Sequence, residues 1–345
     1  MVPTQGLPRG LVLCGAAALL FGATVPFASR LADDTTAPML AGLLYLGAAT
    51  AVVPFVGRPS VAMRTMRSAG WRLIAAVISG GFLGPLLLVA GLSRTPAATA
   101  SLLLNLELVA TAALAATLFG EHIGRRVGIG TVLVVAAGLT LARAGEPELR
   151  LGALLIVGAC LCWGLDNVVT ASLDALAPQH ITLAKGVIAG TTNVAIALVL
   201  GNSLPGVGVV VAALLLGAIG YGASITLWVS GAREIGAARG QLVFSAAPFV
   251  GVVLAWTILG DQITVAQIAA LGLAAVGVSF VVGSGHEHDH RHVAMSHVHE
   301  HRHDAHHQHG HAVLGTEAAH AHEHSHDPLI HAHPHVPDLH HRHRH

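Results

Sequence analysis

Apolar positions along this chain fall into long runs separated by short polar connections, with no sustained period-two alternation before the last 60 residues. A helix that crosses a bilayer needs ~20 apolar residues. Ten runs qualify. The first five are Leu11–Ala28, Ala37–Val56, Trp71–Leu92, Ala97–Leu118 and Val127–Leu141. The second five are Leu151–Thr170, Ile181–Leu200, Val207–Ser230, Ala237–Leu259 and Thr264–Val282. The connections carry the Pro, Gly, Asp and Arg residues expected of turns. The first run reads as a helix and not as a removable leader, because further spans follow it and no small-residue cleavage site stands out.

The pattern repeats. Residues Gly91 to Leu141 lie on Gly231 to Val281 without a gap, at a constant offset of 140. Ala97-Ala98 falls on Ala237-Ala238, Leu114-Ala115 on Leu254-Ala255, and Gly120-Glu121 on Gly260-Asp261. The helices, the turn signals and the acidic residue after the fourth helix of each half all stay in step. Five helices per half is an odd number, so the second half enters the membrane in the opposite sense. Such inverted repeats characterise transporters. The expected fold is an all-α membrane protein of ten transmembrane helices in two inverted five-helix repeats, residues 11–141 and 151–282, with a disordered His-rich tail at 286–345.

Composition agrees. The chain has 345 residues, 53% hydrophobic and 10% charged, with a mean hydropathy of +0.67. A soluble domain carries roughly 25% charged residues. Cys14, Cys160 and Cys162 all lie inside apolar runs, which argues against a disulfide framework. Basic residues orient the bundle. With the N-terminus inside, Arg9, Arg58, Arg64, Arg67, Arg72, Arg125, Arg126, Lys185, Arg233 and Arg239 are cytoplasmic, against Arg30, Arg94, Arg143 and Arg150 outside. That asymmetry places both termini in the cytoplasm. An excess of Arg over Lys suggests a GC-rich bacterial genome, and the expected location is a bacterial inner membrane.

Several motifs carry a family resemblance. Phe119-Gly120-Glu121-His122-Ile123 and Leu259-Gly260-Asp261-Gln262-Ile263 each join an apolar helix to a closing helix through a Gly-acid turn. Ala246-Ala247-Pro248-Phe249 precedes the second turn, and Phe21-Gly22 and Trp163-Gly164 open the two halves. Over Leu11 to Val282 the chain resembles the EamA-type transporters of the drug/metabolite transporter superfamily. The resemblance implies secondary transport or export of small solutes through a central cavity. One departure is that Leu108, preceded by Glu107, stands where the second copy has Pro248.

Charges within spans are costly and tend to be functional. The transport-path candidates are Glu107, Asp166, Asn167, Lys185 and Asn193. Glu107, mid-way along the fourth helix, reads as a substrate or cation ligand or a proton-coupling carboxylate, or else as a structural carboxyl bonded to a neighbouring helix. Asp166 and Lys185 suit an ion pair, either a gate or a structural pair of small net stability. Asn193, with Thr191-Thr192, reads chiefly as a packing group. Gly80–Pro85 and Gly220–Ser224 interrupt spans at matching places and are candidates for lining a cavity. Cys160 and Cys162 point to different sides of a helix and cannot share an ion. Glu121, His122 and Asp261 sit in turns and read most simply as solvated helix-end charges.

The tail alternates histidine with other residues at His286, His288, His290 and His292, at His297, His299, His301 and His303, at His320, His322, His324 and His326, and at His331, His333 and His335. Imidazole suits Ni, Co, Zn and Cu. Long and interleaved, the tract is unlike a purification tag; a merely solvated tail and a pH sensor are the other readings. It resembles in composition the His-rich segments of nickel chaperones and metal transporters. The expected function is export of a divalent transition metal (Ni, Co or Zn) gathered by the tail. The alternatives are a metabolite or amino-acid exporter whose tail buffers or regulates, and a membrane-anchored metal store or sensor. No enzyme activity and no required cofactor are expected, beyond Ni, Co, Zn or Cu ions on the tail. Expected partners are the lipid bilayer, the small-molecule or metal-ion substrate and, as one option, a second copy in a homodimer; no nucleic acid is expected.

Overall fold

A computed structural model describes residues 6–56, 69–119, 124–143, 147–171, 173, 176–235, 240, 243–282, 286–292, 295–301, 320–326 and 329–335. Eight helices are long and apolar enough to cross a membrane, and two shorter apolar helices follow them. In lipid the backbone must satisfy its own hydrogen bonds, which is why these runs become helices. They are α1 (Gly6–Ala32), α2 (Ala37–Val52), α3 (Gly70–Leu92), α4 (Ala97–Leu103 and Leu106–Phe119), α5 (Arg125–Arg143), α6 (Pro147–Ala171), α7 (Pro178–Val199), α8 (Val207–Ile235), α9 (Ala247–Leu259) and α10 (Val265–Val282).

The packing follows the repeat. Helix α1 runs along α8 as α3 runs along α6; α2 lies against α7, and α5 against α10. Small residues set these contacts, because lipid offers no hydrophobic drive between helices. A Cβ on Gly217 would strike the carbonyl of Leu44, and one on Gly47 would strike that of Leu214. Gly130 and Gly277 each abut the other's carbonyl across the α5–α10 crossing.

Among the described residues, four spans carry a π-helical segment. Segments Val77–Leu83 of α3, Lys185–Ala189 of α7, Ala218–Ala223 of α8 and Ala255–Leu259 of α9 are π-helical. Such bulges often mark functional sites. The α3 and α8 bulges sit on the Gly-rich stretches that match between the halves.

The fourth and ninth spans, expected to be continuous, are both broken. At Leu104-Asn105, Asn105 Nδ2 donates to Leu102 O at 3.0 Å, and the bond Glu107 N→Leu104 O is a short-range one of 3.0 Å. A side-chain amide that bonds a nearby carbonyl competes with the helix. In the second copy Ser245-Ala246 turns, and Pro248, lacking an N–H, sits in the first turn of α9.

The described tail segments pair as two antiparallel ribbons, β1 (His286–His292) with β4 (Leu329–His335) and β2 (Met295–His301) with β3 (His320–His326). The His-x-His alternation has the period of a strand, which explains why pairing is open to so polar a segment. The fold class of the bundle is unaffected.

Candidate functional site

The break in α4 puts Glu107 in the first turn of a new helix, Leu106–Phe119. Free backbone N–H groups and the helix dipole favour an acidic group at such a place. Asn167 of α6, which is exposed, donates from Nδ2 to Glu107 Oε1 at 2.9 Å and to Thr111 Oγ1 at 3.3 Å. Gly164 lets α6 come this close, since a Cβ there would collide with Ala110 of α4.

Asp166 faces the other way. Lys185 Nζ, at the start of the α7 bulge, donates to Oδ1 and to Oδ2 at 2.6 Å each. Thr170 Oγ1 adds a bond to Oδ1 at 3.0 Å. The two charged side chains are only 13% and 10% exposed, so the pair is largely desolvated. Asp166 and Lys185 pair with each other, which leaves Glu107 as the carboxyl of the set with no cationic partner among the described residues.

The α3 bulge completes this side. Gly80 O accepts from Tyr45 OH at 2.6 Å and from Trp163 Nε1 at 3.1 Å. A π-segment shifts the helical bonding and exposes carbonyls to such donors. A Cβ on Gly80 would collide with the Asp166 carboxylate.

An aromatic chain continues from Tyr45. Its ring lies 5.3 Å from Tyr221, which meets Phe21 edge-on at 5.8 Å. Phe21 lies 5.4 Å from Phe244, which lies 6.1 Å from Trp228. Edge-on and tilted pairs of this kind add stability beyond their burial. Tyr45 joins the two parts, since the Gly80 it bonds also packs against Asp166.

The remaining candidates are placed as follows. Asn193 is fully buried in α7, and neither amide atom has a partner among the described residues. Cys160 is buried with its Sγ against Leu103 O at 3.7 Å, and Cys162 is half-buried. Gly120, Glu121, His122 and Ile123, with Arg58, Arg64, Arg67, Arg239 and His303, lie outside the described residues. Among the described residues of the spans, no three His, Cys, Asp or Glu side chains are grouped to hold a metal ion. Asp261 corrects an expectation: it is not a solvated helix-end charge, because its Oδ2 accepts from Ala98 N of α4 at 2.9 Å. Sequence reasoning singled out the stretches that hold Gly80 and Tyr221 but not the two tyrosines themselves, Tyr45 and Tyr221. For Tyr221 the matched Gly-rich stretch was the only signal.

Ten apolar helices among the described residues, two of them broken in mid-span, define a multi-pass membrane protein. The EamA-like transporter family matches residues 8–142 and again 150–283, and the chain belongs to that family. Its members are transporters of small solutes and not enzymes. An uncharacterized transporter of Methanothermobacter thermautotrophicus is similar, at 28% identity over 204 residues, covering 56% of this chain and 59% of that protein. The chain thus spans 59% of the length of that relative. A crystal structure at 20% identity and a TM-score of 0.58 covers 79% of this chain and 95% of its own, and shares the fold.

Proposed function

We propose that the chain exports a small organic solute with a cationic or hydrogen-bonding head and an apolar body. The observation that carries this reading is the join between two unlike surfaces. Glu107, held by Asn167 at the α4 break, supplies a single unbalanced carboxylate. Tyr45, Tyr221, Phe21 and Phe244 form a run of rings that starts at the α3 bulge, where Tyr45 bonds Gly80 beside Asp166. An ammonium suits the carboxylate, and aromatic faces suit both cations and apolar bodies. A bare divalent ion would find one free carboxylate here, since Lys185 already occupies Asp166. The excess of basic residues on one set of loops supports cytoplasmic termini and an inner-membrane location.

Flux of radiolabelled amines and amino acids out of everted or right-side-out vesicles tests the proposal. Glu107→Gln keeps an acceptor for Asn167 but removes the charge. It is expected to lower flux at least about tenfold, one factor of ten being the loss of only ~1.4 kcal/mol. Unchanged flux at equal membrane levels would refute the assignment.

A second reading, export of Ni, Co or Zn, has support from the tail. Backbone register sets His286 opposite His335, His288 opposite His333 and His290 opposite His331. The other ribbon sets His297 opposite His324, His299 opposite His322 and His301 opposite His320. Opposed positions in antiparallel strands are ~5 Å apart, a spacing at which two imidazoles can share one ion. Under this reading the tail binds Ni, Co, Zn or Cu, and deleting residues 286–345 abolishes metal efflux. Under the first, the deletion leaves organic flux intact.

A further inference from the structure

The α9–α10 turn ties down the end of the bundle opposite the chain termini. Gly260 ends α9 in a left-handed conformation (φ 73°), which non-glycine residues adopt at a cost. This reversal lets Asp261 N donate to Ala255 O at 3.1 Å and turns the carboxylate towards α4. Asp261 Oδ2 accepts from Ala98 N, an N–H of the first turn of α4 that has no partner within its own helix. An acidic cap is normally supplied by the same chain segment; here it comes from 163 residues away, in the other repeat.

Three further bonds run beside it. Gln267 of α10, 3% exposed, donates from Nε2 to Thr99 Oγ1 at 3.0 Å, and its Oε1 accepts from Thr264 N at 3.1 Å. Arg30, at the end of α1, donates to Leu259 O at 2.9 Å. Helices α1, α4, α9 and α10 are therefore joined at one end. Along α4 the consequence is visible. Residues Ala97 to Leu103 are all buried, whereas beyond the break Leu106 to Val109 are half-buried and Thr117 and Leu118 are exposed. The Asp261 end of α4 is thus enclosed by its neighbours.

We propose that Asp261 is a positioning residue of the transport cycle: its carboxylate latches the α9–α10 turn onto the start of α4, and release of that bond opens this end of the bundle. The inference rests on the transport reading above. Breaking the latch returns Ala98 N–H and the carboxylate to water, where both are satisfied, so the contact is reversible. A bond inside one helix would not couple two repeats in this way.

The test reads accessibility and not flux, so it stands apart from the choice of substrate. In a background with Cys14, Cys160 and Cys162 replaced by Ala, Ser101→Cys places a thiol at a site that is 0% exposed and whose hydroxyl has no partner among the described residues. Leu118→Cys is the companion at the opposite end. A membrane-impermeant maleimide is applied from the Asp261 side of full-length protein in sealed vesicles. Asp261→Ala is expected to raise Ser101→Cys labelling about fivefold to tenfold, the population shift that follows loss of one helix cap. Asp261→Asn, whose amide oxygen still accepts from Ala98 N, is expected to change it less than about twofold. Leu118→Cys labelling from its own side should not rise in either variant. Equal Ser101→Cys rates in wild type and Asp261→Ala would overturn the latch. A parallel rise at both reporters would show general loosening and would overturn it as well. If the latch holds but no solute is moved, the transport reading fails instead.

Discussion

The contact of α3 with α6 and that of α8 with α1 are built alike and filled differently. Each uses a glycine in a π-helical bulge, Gly80 or Gly220, to press against the neighbouring helix. Trp163-Gly164 and Phe21-Gly22 are 142 residues apart, and the same step carries Thr24 onto Asp166. Gly80 abuts Asp166, and Gly220 abuts Thr24. Thr24 needs only its own helix, its Oγ1 donating to Leu20 O at 3.2 Å, whereas Asp166 needs Lys185. Likewise the step of 140 carries Glu107 onto Ala247. Architecture is therefore duplicated and charge is not. One repeat contact holds the ionic groups, and its counterpart leaves room for rings.

The sharpest way to break the comparison is to remove one charge from its pair. Asp166→Ala leaves Lys185 buried without a partner, and such a loss costs ~3–5 kcal/mol. Thr24→Ala should cost under about 1 kcal/mol, because its hydroxyl bonds only its own helix. Thermal unfolding in detergent would show the contrast, and equal shifts for the two variants would end the distinction. Replacing both partners, Asp166→Asn with Lys185→Met, should recover most of the stability while flux stays low.

The glycines extend the same test at smaller amplitude. Gly80→Ala drives a methyl into the Asp166 carboxylate, which is pinned by Lys185, and should cost about 1–3 kcal/mol. Gly220→Ala meets the neutral Thr24 hydroxyl, which no ion pair pins, so a smaller loss is expected. Melting curves showing the reverse order would contradict the account. Smaller still is Tyr45→Phe. It removes one bond to Gly80 O but leaves the bond from Trp163, so stability should fall by about 1 kcal/mol. Its ring contact with Tyr221 is kept, and solute flux should fall only modestly.

The spans, their repeat and the family signature were legible in the sequence because each is local: a run of ~20 apolar residues or a Gly-acid turn needs no knowledge of its neighbours. Asp166 and Lys185 could be paired because a short connection joins their helices. Asn167 with Glu107 and Asp261 with Ala98 could not, since 60 and 163 residues separate them and nothing periodic links them. Pro248 marks the α9 break in composition, although the ninth run was read as continuous. The break in α4 was hidden, because an asparagine side chain competing for a carbonyl leaves no compositional trace. The tail's histidines were plain to see, but their strand register depends on segments that pair across dozens of residues.

The central claim is that one unbalanced carboxylate beside a run of rings selects the solute. It is tested most directly by counterflow in proteoliposomes loaded with an aromatic amine or with Ni, comparing wild type with Glu107→Gln. The account predicts saturable amine counterflow in wild type, its loss in Glu107→Gln, and no Ni counterflow in either. Amine movement that persists in Glu107→Gln, or Ni movement in its place, would contradict it.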